Sequence, residues 1–165
     1  LYAHLADIAP GTVPGARVAA GAPLGRMGRS AGGYTIPKER AHLHFEIGLR
    51  LAEPGRFQAW YDGRGFGSRN EHGAYNGMNL MGLDPLAFFD ARRAGGLFAL
   101  DEVFRALPAA LTLRIAHAGE PEFVARHPSL VAARVAPGAR GGWEIDFGAT
   151  GGPLRWREVA AGEFA

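Results

Sequence analysis

The stretch His42-Leu43-His44-Phe45-Glu46-Ile47-Gly48-Leu49-Arg50-Leu51 decides how this chain is read. Its odd positions are all apolar, while His42, His44, Glu46 and Arg50 fall on even ones. Such alternation marks a β-strand with one face on a core and the other turned to solvent or a site, so one strand over His42–Leu51 is expected. Residues two apart on a strand project the same way, about 6.6–6.8 Å apart, which puts His42 and His44 on one side. Neutral imidazole is the commonest metal ligand, and a second imidazole beside it can act on metal-bound water. Taken alone, an H-x-H pair is equally compatible with a surface or structural role. Glu46 lies one step further along the same face, either as a carboxylate that orients an imidazole or as an exposed strand glutamate.

Working outward, Leu1–Leu5, Ala16–Ala20 and Pro23–Met27 read as further short strands between glycines. Gly25-Arg26-Met27-Gly28 lacks the Lys-Ser/Thr ending of a phosphate loop, and close strand turns suffice to explain it. Residues 52–79 are rich in Gly, Arg, Asn and aromatics without either period, and read as a long ordered loop. Met81–Phe89 returns to the core, with Asp84-Pro85 opening a helical turn. From residue 97 onward the pattern predicts a small α+β appendage. Leu100, Val103, Phe104 and Leu107 form a helical face, a short helix lies near Glu120–Arg126, and Leu111–His117, Trp143–Phe147 and Leu154–Val159 are strands.

Composition bounds the function. Of 165 residues, 47% are hydrophobic, enough for a core, while 25 Gly and 11 Pro favour short strands over a helical bundle. A net charge of +2 is too small for a nucleic-acid footprint. Without Cys there are no disulfides, thiolate ligands or Cys nucleophile, so any metal must use His and carboxylates. No apolar run approaches the roughly 20 residues of a membrane span. The chain opens on Leu1-Tyr2-Ala3-His4, inside a strand-like stretch, so the natural N-terminus is expected further upstream.

Three motifs then arrive in order: Tyr2-Ala3-His4-Leu5, Gly15 through Ser30 (GARVAAGAPLGRMGRS), and His42-Leu43-His44-Phe45-Glu46-Ile47. Together they resemble the second half of the lysostaphin-type (LytM) zinc endopeptidase domain, over about residues 1–51. Gly82-Leu83-Asp84-Pro85-Leu86 looks like the Asp-Pro turn that commonly follows it. The resemblance implies a mainly β, partly open antiparallel sheet, with residues 1–95 as the C-terminal part of a peptidase domain and 97–165 as the appendage. It implies a hydrolase of peptidoglycan peptides in the bacterial envelope, periplasmic or secreted, using one Zn2+. By the same resemblance His44 is a zinc ligand, His42 the catalytic partner that handles the water proton, and His4 the residue that helps hold the water or the developing oxyanion. The family's upstream H-x-x-x-D pair, which supplies the other two ligands, is not in this chain, and truncation accounts for that better than degeneration. Between Ser30 and His42 the family has a short Gly-rich turn, whereas this chain carries the longer Ala31–Ala41, so substrate specificity is not carried over. The rival is a non-catalytic relative that binds or activates another cell-wall hydrolase; retention of His4, His42 and His44 argues against it.

Among other candidates, His72 is read as a solvated loop histidine rather than a groove residue, and His117 and His127 as structural. Trp60, Tyr61 and Tyr75 are read as loop packing before a ligand wall.

Overall fold

The structure, a computed structural model, describes residues 1–31, 33–96 and 99–164. The chain divides into two compact units, Leu1–Gly48 and Leu49–Ala165. The expected start of the appendage at Leu97 lies outside the described residues, as does Gly32 within the longer Ala31–Ala41 segment.

The first unit is built of very short strands: β1 (Tyr2–Ala3), β2 (Leu5–Ile8), β3 (Gly25–Met27), β4 (Ser30–Ala31), β5 (Tyr34–Thr35) and β6 (His44–Phe45). They pair antiparallel as β1 with β6, β2 with β3 and β4 with β5. The expected strand over Leu1–Leu5 is broken at His4, whose φ of 61° lies in the left-handed region, where a non-glycine residue is uncommon. Ala16–Ala20, expected as a strand, is exposed loop. Gly25 and Gly28 are required by close approach: a Cβ at Gly25 would sit 2.4 Å from the Asp7 carbonyl oxygen, and one at Gly28 2.5 Å from the Ala6 nitrogen. Among the described residues of this unit only Ile36 is a buried core residue.

The expected strand over His42–Leu51 is split. His42 and Leu43 are outside regular structure, β6 holds His44–Phe45, and β7 (Ile47–Arg50) follows after Glu46. The split follows a change of partner, since β6 pairs with β1 whereas β7 pairs with β8 (Leu80–Leu83). Leu49 and Leu51 are packed against the core of the second unit.

That second unit begins with a correction. Residues 52–79, read as loop, contain helix α1 (Pro54–Gly63) and two 3-10 turns, Gly73–Tyr75 and Gly77–Asn79. Pro54 occupies the first turn, where its missing N–H costs nothing. Phe57 and Tyr61, one helical turn apart, are the buried residues of the helix. The fully buried Asn79 closes the segment: its amide oxygen accepts from the Ala52 nitrogen at 2.8 Å, and its amide nitrogen donates to the Ala52 and Ala74 carbonyls. After β8 comes α2 (Pro85–Arg93), whose cap is the expected Asp84, accepting from the Leu86 nitrogen at 2.9 Å.

The remaining elements are α3 (Leu100–Ala106), β9 (Leu111–Ile115), α4 (Glu122–Arg126), β10 (Val131–Ala133), β11 (Arg140–Phe147) and β12 (Pro153–Ala160). They form a four-stranded sheet ordered β10-β12-β11-β9, close to expectation apart from β10, which pairs parallel to β12. Phe104 and Trp143 are fully buried and join Met81, Val124, Leu130, Ile145, Leu154 and Trp156 in one core. On the opposite side of β11 the buried Asp146 accepts from Arg155, Arg157 and Thr112 at 2.6–2.8 Å. Those hydrogen bonds, Arg157's foremost, hold its carboxyl well below the usual carboxylate range against the opposing effect of burial. Arg155 also donates to the Arg105 and Leu107 carbonyls at the end of α3, so one guanidinium ties that helix end to the sheet. Helix and strand each account for 29% of the chain. In place of one partly open antiparallel sheet in a mainly β fold there are several small sheets, and the strands do not outweigh the helices.

Candidate functional site

The site is assembled in the first unit on and beside two paired strands. β1 and β6 are in register as Tyr2 opposite Phe45 and Ala3 opposite His44. This pairing sets His4, the residue after β1, beside the H-x-H segment. The ring centroids are 4.8 Å apart for His4 and His42, 5.4 Å for His4 and His44, and 6.5 Å for His42 and His44. The structure thus brings together all three histidines singled out in the sequence. His4 is half-buried, while His42 and His44 are exposed.

Each ring is held by one nitrogen. His4 Nδ1 lies 2.6 Å from the Ser30 carbonyl oxygen, and His42 Nδ1 lies 2.8 Å from that of Arg40. A carbonyl only accepts, so both rings carry hydrogen on Nδ1, and in the neutral form their lone pair is on Nε2. His44 is held the other way round, with Nε2 2.7 Å from a Glu46 carboxylate oxygen. Two open Nε2 positions and one open Nδ1 are the chemical endowment of the cluster.

The Ser30 and Arg40 carbonyls are the parts that sequence reasoning missed. Ser30 also donates its hydroxyl to the Leu5 carbonyl at 3.0 Å, and Gly28 donates to the His4 carbonyl at 2.6 Å. The glycine-rich second motif therefore supports His4 from both sides. Arg40 belongs to the longer Ala31–Ala41 segment, in a 3-10 turn over Lys38–Arg40. No side-chain pattern announces a backbone acceptor.

The weaker candidates are all in the second unit. His72 is exposed at the head of the turn Gly73–Tyr75. His117 is exposed beyond β9. His127 packs 4.8 Å from the Phe123 ring, and burial, then the Arg126 charge, push its pKa down. Trp60 and Tyr61 are neighbours of Phe66 at 5.8 and 4.8 Å, with Tyr61 buried, while Tyr75 is exposed.

Imidazole nitrogens suit zinc, so the donors here are of the right kind. Their number falls short. Among the described residues no group of three or more His, Asp or Glu side chains is arranged to hold a metal ion. His44, with Nδ1 open, fits one corner of such a centre. No family model matches the chain, and no significant match was found among curated proteins or solved structures.

Proposed function

We propose that the first unit carries the second half of a lysostaphin-type zinc endopeptidase domain, which hydrolyses peptide bonds of bacterial peptidoglycan in the cell envelope. The observation that carries this reading is the convergence of His4, His42 and His44 within 6.5 Å, each with one nitrogen fixed and one open. A surface or structural pair does not call for a third imidazole brought beside it by a paired segment.

On this reading His44 holds zinc through Nδ1, and the His and Asp of the family's H-x-x-x-D pair would complete the site. When bound, the ion would polarise the scissile carbonyl and bring the pKa of its water toward about 7. His42, its Nδ1–H committed to Arg40, presents Nε2 as the base that takes a proton from the attacking water and returns it to the leaving amine. His4 in its neutral form presents Nε2 as an acceptor, which suits it to hold that water; donation to an oxyanion would need the ring protonated on both nitrogens.

The test is made with two single variants of a longer protein that joins an upstream H-x-x-x-D segment to these 165 residues. His44→Ala is expected to lose zinc and peptidase activity together. His42→Ala is expected to keep zinc and lose about 10²–10⁴-fold in turnover, the usual worth of general acid–base work. Loss of zinc from His42→Ala with retention in His44→Ala would reverse the two roles, and full activity in both would end the proposal.

A further inference from the structure

His44 and Glu46 stand two residues apart, and the His44 Nε2 lies 2.7 Å from a Glu46 carboxylate oxygen. Both are fixed to the same neighbouring segment. His44 is opposite Ala3 in the β1 and β6 pairing, and Glu46 continues it, donating to the Leu1 carbonyl at 3.0 Å and accepting from the Leu1 nitrogen at 2.7 Å. The side chains remain 45% and 35% exposed. A pair this open adds little to stability, so stability is not its main contribution. What it decides is where the proton sits. An ionised carboxylate only accepts, so the neutral His44 ring must carry its hydrogen on Nε2 and its lone pair on Nδ1. His4 and His42 are fixed in the opposite tautomer by backbone carbonyls. Of the three anchors, only the one on His44 is a side chain and can be removed by substitution.

We infer that Glu46 is a positioning residue that locks His44 in the Nε2–H tautomer and in one ring orientation, so that Nδ1 is the nitrogen offered to a metal. That the metal is zinc rests on the endopeptidase reading. The tautomer does not.

The lock is read on the zinc-free 165-residue chain by long-range proton–nitrogen correlation of the histidine rings, at a pH where imidazole is neutral. The native chain is expected to show His44 protonated on Nε2, against His4 and His42 protonated on Nδ1. Glu46→Ala should move the His44 nitrogens to values averaged over both tautomers while leaving His4 and His42 unchanged, which also reports that the variant is folded. Glu46→Gln keeps an acceptor oxygen and should restore the native pattern. A native His44 protonated on Nδ1, or a His44 signature that does not respond to Glu46→Ala, overturns the inference.

In the longer protein, zinc affinity measured by competition with a chromophoric chelator should fall about 10–100-fold in Glu46→Ala and largely recover in Glu46→Gln. Unchanged affinity overturns the positioning role. A longer protein that takes up no zinc overturns the endopeptidase reading and the metal-facing role with it, and the zinc-free tautomer measurement separates that failure from a failure of the lock.

Discussion

The two units of this chain spend their residues differently. In Leu49–Ala165, α3, α4 and the four-stranded sheet bury Phe104, Trp143, Val124 and Leu130 almost completely, and Asp146 is saturated with hydrogen bonds. In Leu1–Gly48, strands of two to four residues bury only Ile36 among the described residues, yet every side chain of the histidine cluster is there. Burial of apolar surface is the main favourable contribution to folding, so the second unit carries most of the stability. The first unit holds its histidines by backbone carbonyls and one carboxylate, contacts that fix direction and contribute little to stability.

The contrast can be broken most severely from the stable side. Phe104→Ala removes a fully buried ring and should cost about 3–5 kcal/mol. All three tryptophans are in the second unit, so their fluorescence during urea unfolding reports on that unit alone. A loss under about 1 kcal/mol would mean that the core is not where the stability lies.

A smaller effect, about 1–3 kcal/mol, is expected from Asp146→Ala, which leaves the partly exposed Arg155 and Arg157 without their shared acceptor. The pH dependence has a definite sign. The folded carboxyl titrates below its ordinary value of about 3.9, so its contribution is complete above that pH and is lost as the pH falls toward the folded value. Urea midpoints followed from neutral pH to about pH 3 should therefore drop in the native protein and drop less in Asp146→Asn.

Gly28→Ala sharpens the comparison from the other side. The added Cβ would sit 2.5 Å from the Ala6 nitrogen and 2.7 Å from its Cα, so backbone must move. A cost of about 1–2 kcal/mol is expected. It should appear as faster amide exchange over Leu5–Ile8 and Gly25–Met27 and a changed His4 ring signal, with tryptophan fluorescence unaltered.

How much of this was legible depended on whether a residue's partners are local. Asp84-Pro85 announced α2 because capping and a proline in the first turn are local chemistry. Leu100, Val103 and Phe104 gave α3 by spacing, and the strand read over Trp143–Phe147 falls within β11. The histidine cluster was legible as far as i, i+2 spacing and the ordered motifs reach. Helix α1 was missed because Gly55, Trp60 and Gly63 blur its period, although Pro54 and the Phe57 and Tyr61 spacing were available as signals. The break at Glu46 was hidden because alternation reports which face a side chain takes and not which neighbour the strand pairs with. The Ser30 and Arg40 carbonyls left no trace, since a backbone acceptor has no side-chain signature.

The central proposal, that His44 is one ligand of a zinc centre, is tested most directly by calorimetric titration of zinc into the 165-residue chain and, in parallel, into a longer protein that joins an upstream H-x-x-x-D segment to it. A catalytic zinc site needs three protein ligands, and this chain supplies one at the place the resemblance assigns. The account predicts at most weak binding by the 165-residue chain and tight one-to-one binding by the longer protein. Submicromolar one-to-one binding by the 165-residue chain, or no tight binding by the longer protein, would contradict it.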